Sequence, residues 1–306
     1  MAINTLTMAQ NFQTVLDQQM LVGATSGFME VNAGEVKYNG GDTVKIPTLS
    51  VDGLANYDRD NGYNRGAVSL TYEDFKLTQD RGRKFSLDAM EVDESNFLAT
   101  GTNVMSTFQV EQVIPEVDAY RYSKIAAYAK NANRKTDAFT PSAANIIDQL
   151  NKEIVEIEDV VGETGDLVIV MSTRVQSVLN SAAGAKGMLD VADFEHGAYN
   201  TRVRTYNGIP IIAVPSARMK SQYVFNDGKT TGQEKGGFKA DTAAKAINWI
   251  IMSRRAAIAV SKTDTMRIFD PTINQQANAW GIDYRKFHDV WVPKNRLATV
   301  WANFGA

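Results

Sequence analysis

Histidine comes first among residues that could do chemistry, because imidazole titrates near neutral pH and serves as base or metal ligand. The chain has two, His196 and His288, far apart in sequence. His196 lies in a glycine-flanked loop and His288 beside an alternating strand, settings that suit hydrogen-bonded structural roles. Carboxylates cluster at Asp58 and Asp60, and again at Glu91, Asp93 and Glu94. Paired carboxylates can act as acid and base on a glycosidic bond, so a carbohydrate-active enzyme is one reading. Solvated charge near turns and a helix start is the simpler one. Cysteine is absent, which removes thiolate catalysis, disulfides and Cys-ligated metals. Metalloprotease, phosphate-loop, nucleophile-elbow and dinucleotide motifs are also absent. The reading is of a structural, self-associating protein, not an enzyme, with no catalytic residues, no metal and no cofactor.

The densest mixture of charge is Asp80, Arg81, Arg83, Lys84, Asp88 and Glu91. These residues can pair within the chain or across a subunit boundary. Each exposed pair is worth only ~0–1 kcal/mol, but pairs repeated over many interfaces add through multivalency. Net charge is −3, so no strong field draws nucleic acid or an anionic membrane. No apolar run approaches the ~18 residues of a membrane span. The start lacks the basic and apolar regions of a signal peptide, which suits synthesis in a cytoplasm.

The elements that carry these charges follow from periodicity. Residues 1–33 read as an arm that must dock to be ordered. Val44, Ile46, Leu49 and Val51 mark a strand, which Pro47 places at an edge because proline donates nothing to a ladder. Val68, Leu70 and Tyr72 alternate in a second strand. Between them, residues 52–66 are rich in Gly, Asn and Asp, which is turn chemistry. The result is a long hairpin with strands near 43–51 and 67–78 and a polar, mobile tip. A strand over 67–78 spans ~40 Å, against a radius of gyration of about 19 Å for a body of this length. Leu54, Tyr57, Tyr63 and Tyr72 then need another subunit to cover them. Inter-subunit contacts are expected from them and from Asp58, Arg59, Asp60, Arg65, Arg81, Arg83, Lys84, Asp88 and Glu91.

Residues 93–131 read as a helix of ~55 Å. Phe97, Val104 and Phe108 fall on its apolar face, and Pro115 should kink or restart it. Further on, the spacing predicts a helix from Ile146 to Val161 and buried strands at 165–172 and 209–214. A flexible loop is expected over 181–200, and one or two helical turns over Arg254–Ser261. The strands resume at 246–252, 266–269 and 280–292.

The segment IPTLSVDGLANYDRDNGYNRGAVSLTYEDFKLTQDRGRKFSLDAMEVDESN (46–96) resembles major capsid proteins of tailed bacteriophages with the HK97-like fold. So do VIPEVDAYR (113–121), SKTDTMRIFDP (261–271) and RKFHDVWVPKN (285–295). The resemblance implies an α+β fold: an N-terminal arm (1–33), an extended β-hairpin loop (34–88), a peripheral domain (89–135 and 261–296) and an axial α/β domain (136–260 and 297–306). It places Phe97, Val104, Phe108, Pro115, Glu116, Asp118 and Arg121 on the long spine helix of the peripheral domain. It implies hexamers and pentamers tiling an icosahedral shell around double-stranded DNA held without sequence specificity. A portal protein and, because the chain starts almost at the arm, a separate scaffolding protein are the implied partners. Assembly would occur in the bacterial host cytoplasm, and the product would be the virion capsid. Some relatives crosslink lysine to asparagine, but nothing singles out a partner for Lys37, Lys45, Lys76 or Lys84. An encapsulin-like nanocompartment shell is the alternative on the same fold.

Overall fold

The structure is a computed structural model that describes residues 23–35, 37–38, 41–57, 59–60, 62–88, 101–162, 166–182, 189–196, 199–269, 271 and 278–306. Most of the predicted arm, with Asp58, Glu91 and Phe97, lies outside these residues. The described end of the arm forms two short 3-10 turns, Gly27–Met29 and Val31–Glu35. Phe28 and Met29 are fully buried in the largest core cluster.

Strand β1 (Lys37–Tyr38) pairs with β2 (Thr43–Val51), and β2 with β3 (Val68–Lys76), all antiparallel. β2 is thus the middle strand, not the edge that Pro47 predicted. The proline is tolerated because β1 reaches only Val44 and Lys45, so β2 is locally an edge at Pro47. The next strand, β4 (Gln79–Asp88), leaves the hairpin for a second sheet, ordered β13-β14-β4, with β13 at Ile258–Phe269 and β14 at Ala279–Trp291. The helical turns predicted over Arg254–Ser261 are instead a turn at 254–256 followed by the start of β13. Ile258, Ala259 and Val260 are buried in it, and β-branched and apolar residues favour that setting.

Helix α1 (Gly101–Phe108) runs into a π turn over Gln109–Val113 and on into α2 (Ile114–Asn131). The sequence predicted a kink or a fresh start at Pro115. Proline has no N–H for the carbonyl four residues back, and its ring crowds that carbonyl. The wider π turn takes up this mismatch, and α2 carries Pro115 in its first turn. The described rod is about 46 Å long. Every residue from Val117 to Tyr122 is buried, as expected of a helix enclosed on all sides.

The third sheet has the order β5-β15-β12-β6-β9-β8-β7. Its strands are β5 (Lys135–Thr136), β6 (Leu167–Ser172), β7 (Leu189–His196), β8 (Tyr199–Tyr206), β9 (Ile209–Val214), β12 (Ile247–Ser253) and β15 (Val300–Phe304). A small sheet pairs β10 (Tyr223–Phe225) with β11 (Phe238–Ala240). Alternation sorts the buried strands onto two layers. Leu167, Ile169 and Met171 meet helices α3 (Ile146–Val161) and α4 (Thr173–Ser181), while Val168 and Val170 join α2. Where a loop was predicted over 181–200, the described residues 189–196 and 199–200 belong to the edge hairpin β7–β8, with Phe194 buried. Val191 and Phe194 stand three apart and so on opposite faces, one exposed and one buried, which left no period-2 apolar signal to read.

Candidate assembly interface

The base of the β2–β3 hairpin is anchored. Val44 and Ile46 are buried with Leu77, Phe287 and Trp291, and Phe75 stacks on Trp291 at 5.6 Å. Thr78, which joins β3 to β4, donates its N–H and hydroxyl to Asp289 Oδ2 at 3.1 and 2.8 Å. The fully buried Asp289 also accepts from Tyr120 (2.8 Å) and pairs with Lys124, both on α2. One carboxylate therefore fixes the exit of the hairpin to the helix and to β14.

Beyond residue 48 the hairpin leaves the body. Its register sets Lys45 against Asp74, Pro47 against Tyr72, Leu49 against Leu70 and Val51 against Val68. Directly opposed residues share a face, so one face reads Leu49, Val51, Val68, Leu70 and Tyr72. The other reads Thr48, Ser50, Ser69 and Thr71. Both faces stand exposed here, and on the apolar one Leu49 is 65% exposed, Leu70 54% and Tyr72 43%. Leu54, Tyr57 and Tyr63 extend it into the tip. Eight of the thirteen exposed large apolar side chains among the described residues lie on this hairpin. Covering such a side chain is worth ~1.5–3 kcal/mol, so a few offset much of the roughly 4–15 kcal/mol cost of association.

The described residues of the tip carry contacts of their own. Asp52 Oδ2 accepts the Ala67 N–H at 2.7 Å, and Asn64 donates to the Asn56 carbonyl at 2.8 Å. Tyr57 and Tyr63 meet edge to face at 5.0 Å. Arg59, Asp60 and Arg65 stand exposed beside them.

The charges expected at subunit contacts divide between tip and body. Arg81 forks onto Glu116 (2.7 and 3.2 Å) and donates to the carbonyls of Asn226 (2.7 Å) and Gly237 (3.2 Å). Asp80 takes Arg285 at 2.8 and 2.5 Å. Arg83 reaches the Glu234 carbonyl, and Lys84 lies opposite Asp283 and Asp88 opposite Ala279. Pairing with β14 puts this segment into a sheet, and Asp80 and Arg81 find charged partners in their own chain. On the helix, Glu116 holds Arg81, while Asp118 and Arg121 are fully buried. Asp118 accepts from Thr25 and Ser26 at 2.6–3.2 Å and from Arg218 at 3.0 Å, and Arg121 pairs with Glu30. Val104 and Phe108 are half-buried, with Phe108 against Phe85.

The sequence reading missed Leu49, Val51, Val68 and Leu70 as surface residues. Their alternation is that of a strand with one buried face, and only their register beyond the body shows that no described residue of this chain buries them.

No family model and no curated protein sequence matches the chain. Solved structures do match in fold. The mature capsid of bacteriophage PhiM1 has a TM-score of 0.56 at 14% identity, covering 88% of this chain and 83% of that one. The capsid of cyanophage P-SCSP1u has 0.55 at 10% identity, with 87% and 84% covered. A structure from Gordonia phage Cozz has 0.54 at 16% identity, with 86% and 81% covered. The chain therefore has the fold of these phage capsid structures, the HK97-like fold that its sequence resembles.

Proposed function

We propose that this chain is the major capsid protein of a tailed bacteriophage. In this reading it assembles as hexamers and pentamers into an icosahedral shell around double-stranded DNA. The observation that carries the reading is the β2–β3 hairpin, anchored at its base and apolar on a face that the described residues of its own chain leave bare. A second subunit covers that face. The fold likeness to the PhiM1 and P-SCSP1u capsids supports the same conclusion. Arm, extended loop, peripheral and axial domains take the boundaries given above. A separate scaffolding protein and a portal protein are its assembly partners, the host cytoplasm is the place of assembly, and the chain has no catalytic role.

Negative-stain electron microscopy of the expressed protein tests this. Closed particles, or rings of five and six, are expected. A clean monomer at high concentration, with no shells or rings, would overturn the proposal.

A further inference from the structure

A cleft of about 350 Å³ lies between β4 and the loop 226–237, apart from the bare face of the hairpin. Residues Asp80–Arg83 and Phe85 of β4 form one wall, and Asn226, Lys235 and the glycines of the loop another. Three properties of these walls point the same way.

The first is charge. The carboxylates of the cleft are already engaged: Asp80 by Arg285, Glu116 by Arg81, and Asp227 by the N–H groups of Lys229 and Thr230. Two cations are not. Arg83 reaches only the Glu234 carbonyl, at 3.2 Å, and Lys235 makes no ion pair among the described residues. Gly228 and Gly236 face Arg83, where a Cβ would stand 3.3 and 3.5 Å from Nη1. Their lack of side chains leaves the guanidinium open.

The second is unmet hydrogen bonding. Asn226 Oδ1 and His288 Nδ1 are buried without a hydrogen-bond partner among the described residues, and both residues line the cleft. An orphaned buried polar atom costs ~1–3 kcal/mol, which a guest bearing N–H groups would relieve. The third is backbone. β4 is the edge of its sheet, and its outer side pairs with no described strand. A free strand edge is a template for an extended chain.

We propose that this cleft binds an extended acidic peptide segment of a partner protein. The segment adds along the outer edge of β4 beside Asp80–Arg83 and sets its carboxylates against Arg83 and Lys235. Neither cation lies on β2 or β3, whose bare face carries the shell contact proposed above.

The test is fluorescence anisotropy of the full chain with a labelled eight-residue peptide of alternating Val and Glu. Saturable binding is expected, weakened at least tenfold in Arg83→Ala/Lys235→Ala. A Gln-for-Glu peptide, and one N-methylated on alternate amides, should each bind at least tenfold more weakly. Absence of binding, equal binding of the Gln or N-methylated peptide, or an unchanged double variant would each overturn the proposal. Displacement by inorganic phosphate at matched ionic strength would assign the cleft to a free anion and likewise overturn it. Should the double variant fail to fold, Lys235→Gln and the two control peptides decide the matter.

Discussion

Asp118 illustrates what single buried carboxylates do here. It binds the arm at Thr25 and Ser26, the rod that carries it, and Arg218 near β9. Removing one partner of such a cluster leaves the others desolvated and unpaired. Asp118→Ala should therefore lower stability by ~3–5 kcal/mol in chemical denaturation, and a loss under ~1 kcal/mol would show that the cluster is not a fastener. Arg81 is similar. The sequence made it a candidate for subunit contacts, and its reversal would then harm assembly more than folding. With Glu116 and two loop carbonyls as partners, Arg81→Glu should cost ~2–4 kcal/mol and depress the melting temperature of the dissociated chain. A wild-type melting temperature with failed assembly would restore the subunit-contact reading. Neither role was legible beforehand. The partners of Asp118 lie about a hundred residues away in either direction, and no local pattern links them.

At the scale of elements, the hairpin was the most legible feature and the helix the next. Both rest on short-range rules: alternation and turn chemistry for one, apolar spacing for the other. Deletion of residues 53–65 should leave the body folded and abolish particle yield, because the buried base at Val44, Ile46 and Phe75 remains. Leu49→Asp with Leu70→Asp makes a finer test. The pair is solvent-exposed in the lone chain, so the melting temperature should hold within a few degrees while particles vanish in micrographs. Normal particle yield would refute a covering role for that face. Pro115 was read correctly as a disturbance, but a π turn is a backbone response to crowding that residue type alone does not specify.

For the molecule as a whole, one buried base couples folding to pH. Burial pushes the His288 imidazole well below its usual range, and the cations Arg121, Lys286, Lys124 and Arg81 push it the same way. An unfolded histidine titrates near pH 6.5. Below that, the unfolded chain takes up a proton that the folded chain refuses, so stability is full above about pH 6.5 and falls as the pH drops. This group contributes a slope of up to ~1.4 kcal/mol per pH unit. Denaturation midpoints measured from pH 7.5 to 5.5 should fall accordingly, and His288→Asn should flatten the trend. An equal slope in the variant would exclude His288 as its source. By itself the sequence determined the hairpin strands, the rod and the buried strands of the large sheet, and the absence of a cysteine site, because these depend on neighbours within a few residues or on composition; it misread 181–200 and 254–261, where glycine, alanine and arginine blur the period. Its resemblance to capsid proteins supplied the fold. Only the tertiary structure decided which apolar face is left bare and which charges are spent inside the chain. Burial and ion pairing depend on groups far apart in sequence, and an exposed stripe of Leu49, Val51, Val68 and Leu70 is spelled like a buried one.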